Sequence, residues 1–167
     1  VSTDETTFTV GEEKLNFGMD YGFLPMNNGN KDVSGEMVFV AYGIQAQSIK
    51  RDDLNGVDVA GKVVVWLEGP PANIPKKAWD EQKAGSLFFR NLIQKGAAAL
   101  VVIGHGREEH SPDESISYFG RRQIVMPDEE GYPAFVPPMV YVSSKAAEKL
   151  FAKSDITLKD ALAQAEQ

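Results

Sequence analysis

The chain has 167 residues, 43% of them apolar and 25% charged, with a net charge of −7 and no cysteine. That length fits one globular domain burying about 70% of its unfolded surface. The acidic balance argues against nucleic-acid or anionic-membrane binding, which needs a basic face. Without cysteine there are no disulfides and no thiolate metal sites, and no apolar run approaches the roughly 20 residues of a membrane span.

In chain order, Thr6–Val10, a Gly11-Glu12 turn and Lys14–Phe17 read as a β-hairpin. Asn27-Asn28-Gly29-Asn30 is a loop, because Asn and Gly tolerate positive φ. Two β-branched runs, Glu36–Ala41 and Lys62–Leu67, read as buried strands flanking a polar segment with Tyr42-Gly43 and Asn55-Gly56 turns. Pro70, Pro71 and Pro75 make 69–77 a surface connection rather than a helix or central strand. From about Asp80 to Lys95 the spacing turns helical. Ala84, Phe88 and Leu92 form one row, Gly85, Phe89 and Ile93 the next, and Gly96 is a C-terminal stop. Ala97–Ile103 is then a buried strand, and 104–133 a long connection of the kind that is often functional. Val136–Val142 is a further strand. Ser143 or Ser144 caps a helix to about Ala152, and Thr157–Asp160 opens another with capping-box character.

Four stretches, taken in order, carry a family resemblance. They are Val38–Gly43 ending in Tyr-Gly, Asp52–Leu67 (DDLNGVDVAGKVVVWL), Lys95–Ile103 (KGAAALVVI), and Val136–Ser143 followed by Ala146–Leu150. Together they resemble the protease-associated domain inserted in secreted zinc aminopeptidases of the leucyl-aminopeptidase and glutamate-carboxypeptidase kind, over roughly Val33 to Phe151. The resemblance implies an α+β fold of the swivelling β/β/α type, with a mainly β core of mixed strand direction and two to three flanking helices. It also implies a domain over 33–152, with 1–32 an N-terminal hairpin or junction and 153–167 a C-terminal helix or junction. Val1 is an unusual first residue, so the chain reads as an excised piece and its lack of a leader carries no weight. The family's zinc ligands belong to its peptidase domain. The expectation is therefore a non-catalytic module without a cofactor of its own, secreted or periplasmic, partnered by a peptidase domain of the same polypeptide and by its peptide or protein substrate.

Several motifs with chemical potential stand beside that expectation. Gly56–Lys62 matches G-x-x-x-x-G-K, but Val63 replaces the required Ser or Thr and a strand follows, so the stretch reads as a turn. His105 and His110 stand five apart, one residue too many for a zincin helix, and Gly104 and Gly106 disfavour a helix there. The bland reading is a solvated loop. The alternative is a metal-dependent hydrolase whose site uses His105, His110 and Asp113. No Ser sits near a His in sequence and no Gly-x-Ser-x-Gly occurs. Asp52-Asp53, Asp80-Glu81 and Asp128–Glu130 read as solvated or helix-start charges. Tyr118, Phe119, Arg121, Arg122 and Met126 set aromatics beside a basic pair. They are candidate binding residues, as in a free-standing interaction module, or simple loop anchors. Trp79 is a helix staple or a contact residue.

Overall fold

The computed structural model describes residues 7–23, 32–81, 88–104, 112–119 and 137–167. Its centre is a sheet built from the β-branched runs: β4 (Met37–Phe39), β7 (Val63–Glu68), β8 (Ala99–Gly104) and β9 (Met139–Val142). These four run parallel in the order β4-β7-β8-β9, with Val64 beside Leu100 and Leu100 beside Met139. Parallel strands are covered on both faces, and that is why they read as unbroken apolar runs rather than as alternating ones. An antiparallel edge strand, β3 (Tyr21–Phe23), pairs Tyr21 with Val142 and completes five strands. The expected α+β fold with a mixed-direction core is present.

Strand alternation divides the core in two. Val65, Leu67, Val101, Ile103, Val140 and Val142 point to one face, together with Leu15 and Tyr21. That face is covered by α4 (Ser144–Phe151) and α5 (Leu158–Ala165). Val64, Trp66, Leu100, Val102, Met139 and Tyr141 point to the other, against Leu92 of α2 (Phe88–Gln94) and Ile116 of α3 (Pro112–Phe119). Each large aliphatic chain so buried stabilises the fold by about 1.5–3 kcal/mol. Residues from before 33 (Leu15, Tyr21) and after 152 (Ala161, Ala165) share the first cluster with the central strands.

The turn and cap signals act where they were read. β1 (Phe8–Val10) and β2 (Glu13–Leu15) form the hairpin, turned at Gly11 with φ 61°. Helix α2 ends at Gly96, φ 87°, where Ala97 N–H reaches Leu92 O and Gly96 N–H reaches Ile93 O, a Schellman closure. Ser143 Oγ accepts the Ala146 N–H and Thr157 Oγ1 accepts the Asp160 N–H, capping α4 and α5. Gly56 and Gly61 both have positive φ and lead into β7, and Lys62 pairs with Glu36 at 3.3 Å.

The helices exceed the two or three expected. α1 (Lys76–Glu81) starts inside the stretch read as a connection, because Pro75 precedes its first turn, where a missing N–H costs nothing. The reading from Asp80 to Lys95 as one helix meets α1 and α2, and residues 82–87 lie outside the described ones. α3 occupies part of the 104–133 connection, with Pro112 in its first position and Asp113 and Glu114 in its first turn. Among the described residues no helix is long and apolar enough to cross a membrane.

Candidate functional site

The crossover from β4 to β7 holds the densest polar chemistry among the described residues. After Phe39 the chain reverses at Ala41 (φ 47°) and Gly43 (φ 64°), with Gly43 N–H donating to Val40 O at 2.7 Å. A two-stranded ribbon follows, β5 (Gln45–Ala46) and β6 (Arg51–Asp52), joined by a 3-10 turn, Gln47–Ile49, and by Lys50 at φ 53°. Ala41 and Lys50 are the non-glycine residues in the left-handed region among those described. That conformation costs an L-residue roughly 1–2 kcal/mol.

Asp53 organises this crossover. Its Oδ2 accepts the backbone N–H groups of Tyr42 (3.2 Å) and Ile44 (3.0 Å), and its Oδ1 accepts Arg51 Nε at 2.8 Å. The two side chains are 9% and 12% exposed, so the pair read as surface charge is half wrong: Asp53 is a buried clamp, while Asp52 stays at the surface on Gln45 and Leu54. Burial pushes the Asp53 carboxyl above its usual range, opposed by the Ile44 N–H, the Arg51 charge and hydrogen bond, and the Tyr42 N–H.

The same arginine reaches the end of α5. Arg51 Nη2 donates to the Ala165 carbonyl, and its guanidinium lies 5.2 Å from the Tyr42 ring centroid, in cation–π range. The buried Tyr42 hydroxyl donates to Glu166 Oε1 in a short hydrogen bond, and Glu166 Oε2 accepts the Ala72 N–H. Asn73 Nδ2 donates to the Gln167 carbonyl at 3.1 Å. Burial, then the Glu166 hydrogen bond and charge, push the Tyr42 hydroxyl far above its ordinary pKa, only partly offset by Arg51. Tyr42 is therefore held as a hydrogen-bond donor to Glu166.

Between α5 and the 49–53 segment opens a cleft of about 560 Å³. Phe39, Ala41, Ile49 and Ile74 give it apolar walls, Lys50 through Asp53 a charged one, and Asn73, Gln164 and Gln167 a polar rim. It lies at the carboxyl end of β4, and Asn73 and Ile74, from the connection that follows β7, are among its lining residues.

The residues singled out from sequence fall elsewhere. Tyr118 and Phe119 end helix α3, while Arg121, Arg122 and Met126 lie outside the described residues. His105 and His110 lie outside them as well. Asp113 Oδ1 accepts the Ser144 N–H at 3.1 Å, joining the first turn of α3 to that of α4. Among the described residues no group of three or more His, Asp or Glu is placed to hold a metal. Trp79 packs partly buried against the first core cluster. The network on Tyr42 escaped sequence reading because its partners lie 11 and 124 residues away. A signal for Asp53 did exist, in an Asp following Arg at i+2 directly before a buried Leu. No family model, curated protein or solved structure matches the chain.

Proposed function

We propose that the chain is a non-catalytic accessory module of the protease-associated kind, working beside a secreted or periplasmic zinc aminopeptidase domain and shaping which peptides reach its cleft. One observation carries the reading. The Tyr-Gly end of the first strand and the Asp-Asp-Leu stretch, two separate parts of the resemblance, meet in one unit through the Asp53 clamp on Tyr42 and Ile44. The other stretches of the resemblance take successive places in the same sheet: β7, the α2–β8 junction, and β9 running into α4. A mixed-direction core of this order agrees with what the resemblance implies. Zinc in this reading belongs to the accompanying peptidase domain and has no ligands here.

The test is hydrolysis of chromogenic aminoacyl substrates with added Zn²⁺, by this chain and by the gene's full-length product. The reading expects turnover by the full-length protein alone, with altered preference for peptide length once residues 1–167, which share one core, are deleted together. Turnover by this chain would overturn it and move attention to His105, His110 and Asp113.

A further inference from the structure

The turn between the Asp53 clamp and β7 carries a chemically reactive pair. Val57 N–H donates to Leu54 O at 3.1 Å, and Gly56 sits at φ 72° while Asn55 stays out of the left-handed region. That combination is a type II turn with glycine at its third position. Asn55 and Gly56 are both exposed, and a side chain at Gly56 would meet no atom within 4 Å. The central N–H of such a turn, here that of Gly56, points away from the closing bond. Neither it nor the Asn55 amide has a hydrogen-bond partner among the described residues.

The other described asparagines lack this set. Asn16 Nδ2 donates to Asp20 and Asn73 Nδ2 to the Gln167 carbonyl, and these bonds hold their amides in place. Phe17 and Ile74 follow them, and Asn91 lies within α2 ahead of Leu92. A bulky side chain on the next residue crowds the approach of its backbone nitrogen to the amide carbon. Glycine leaves that approach open and lets the peptide plane rotate.

We propose that Asn55-Gly56 is a self-modification site, where the folded turn rearranges to isoaspartate and loosens the path into β7. The Gly56 nitrogen attacks Asn55 Cγ. A new N–Cγ bond forms, the Cγ–Nδ2 bond breaks, and the amide leaves as ammonia with the Gly56 proton, closing a succinimide ring. Water, the sole co-reactant, then opens the ring. Addition at the Cα-side carbonyl gives isoaspartate, and addition at Cγ gives aspartate. Either product adds one negative charge, and isoaspartate also adds one methylene to the backbone. Leu54 is buried in the second core cluster and Val57 packs against it, so the added length falls between two anchors. The site stands apart from the accessory role, and the aminoacyl-substrate assay leaves it unchanged.

The test ages the whole chain in mildly alkaline buffer beside a sample unfolded in urea, followed by peptide mapping. Asn28-Gly29 repeats the pair outside the described residues, so conversion is read on the peptide that carries Asn55. In the folded sample Asn55 should gain one mass unit while Asn16, Asn73 and Asn91 stay intact, at a rate within about a hundredfold of the unfolded chain. A site that reacted only through global unfolding would lag by about a thousandfold or more, the folded-to-unfolded ratio of a stable domain, and that lag would overturn the proposal. A protease that cuts before aspartate but not before isoaspartate should leave most of the product uncut; complete cleavage would count against isoaspartate. Asn55→Gln would have to close a larger ring, so it should block conversion and keep the melting temperature of fresh wild type. Aged wild type should then melt below equally aged Asn55→Gln protein. Equal melting would mean that the turn absorbs the methylene, and the loosening would be refuted.

Discussion

The two faces of the central sheet are held by different physics. The face under α2 and α3 is mainly apolar: Val64, Leu100, Val102 and Leu92 meet there, and its buried Trp66 Nε1 has no hydrogen-bond partner among the described residues. The face under α4 and α5 carries a comparable aliphatic layer, with hydrogen-bonded carboxylates added at its margins. Asp20 ties Asn16 and Lys149 at one margin, and Asp53 and Glu166 tie Tyr42 and Arg51 at the other. Helix α5 explains the need. Its fully buried residues are Ala161 and Ala165, which bring little apolar area, so directional bonds at its last turn fix its position. One face is set by shape and area, the other by geometry.

Four substitutions would break or sharpen that contrast. The largest effect should come from Leu100→Ala, which removes a fully buried side chain from the apolar face and leaves a cavity. Urea unfolding should show a loss of about 2–5 kcal/mol. Next, Tyr42→Phe deletes only the hydroxyl facing Glu166, and a loss of about 1.5–3 kcal/mol is expected because the acceptor is charged. A loss under about 0.5 kcal/mol would mean that α5 is held by its alanines after all.

Asp20→Asn should cost about 1–2 kcal/mol at neutral pH. Burial works against ionisation of Asp20, but the Asn16 backbone and side-chain N–H groups, with Lys149 and Lys145, outweigh it and hold its pKa below the usual value. A depressed carboxylate stabilises the fold above its unfolded pKa of about 4, and the contribution fades as pH falls through its lower folded pKa. The wild-type and Asp20→Asn unfolding curves should thus converge in acid. Asp53 has the opposite sign. With its pKa raised, its contribution is complete below about pH 4 and is lost as pH rises through the folded value. The smallest effect belongs to Ser143→Ala, which removes the α4 cap for about 1 kcal/mol, read as a small drop in melting temperature.

Sequence legibility follows the same divide. Much of what local pattern sets was readable: the β-branched strands, the Gly96 stop, and the caps at Ser143 and Thr157. Helix α3 was missed although Pro112-Asp113-Glu114 is a proper helix start, because Gly104 and Gly106 just ahead of it read as the opening of a loop. The cleft was illegible for another reason. Asp52 and Asp53 look alike in sequence, and only the return of residues 41–44 and 165–166 in space separates a solvated carboxylate from a buried one.

The pairing of β3 with β9 bears on how the chain is made. Tyr21 and Val142 sit side by side although about 120 residues separate them, a closure of the kind that slows folding. During synthesis the β7, β8 and intervening helices can assemble while the β3 segment still lacks its neighbour. The aromatic group of Phe8, Phe17, Tyr21 and Phe23 then has no β9 to settle against until residues 139–142 emerge. A nascent chain stalled before residue 139 should therefore present that group to chaperones, and one released after residue 151 should not.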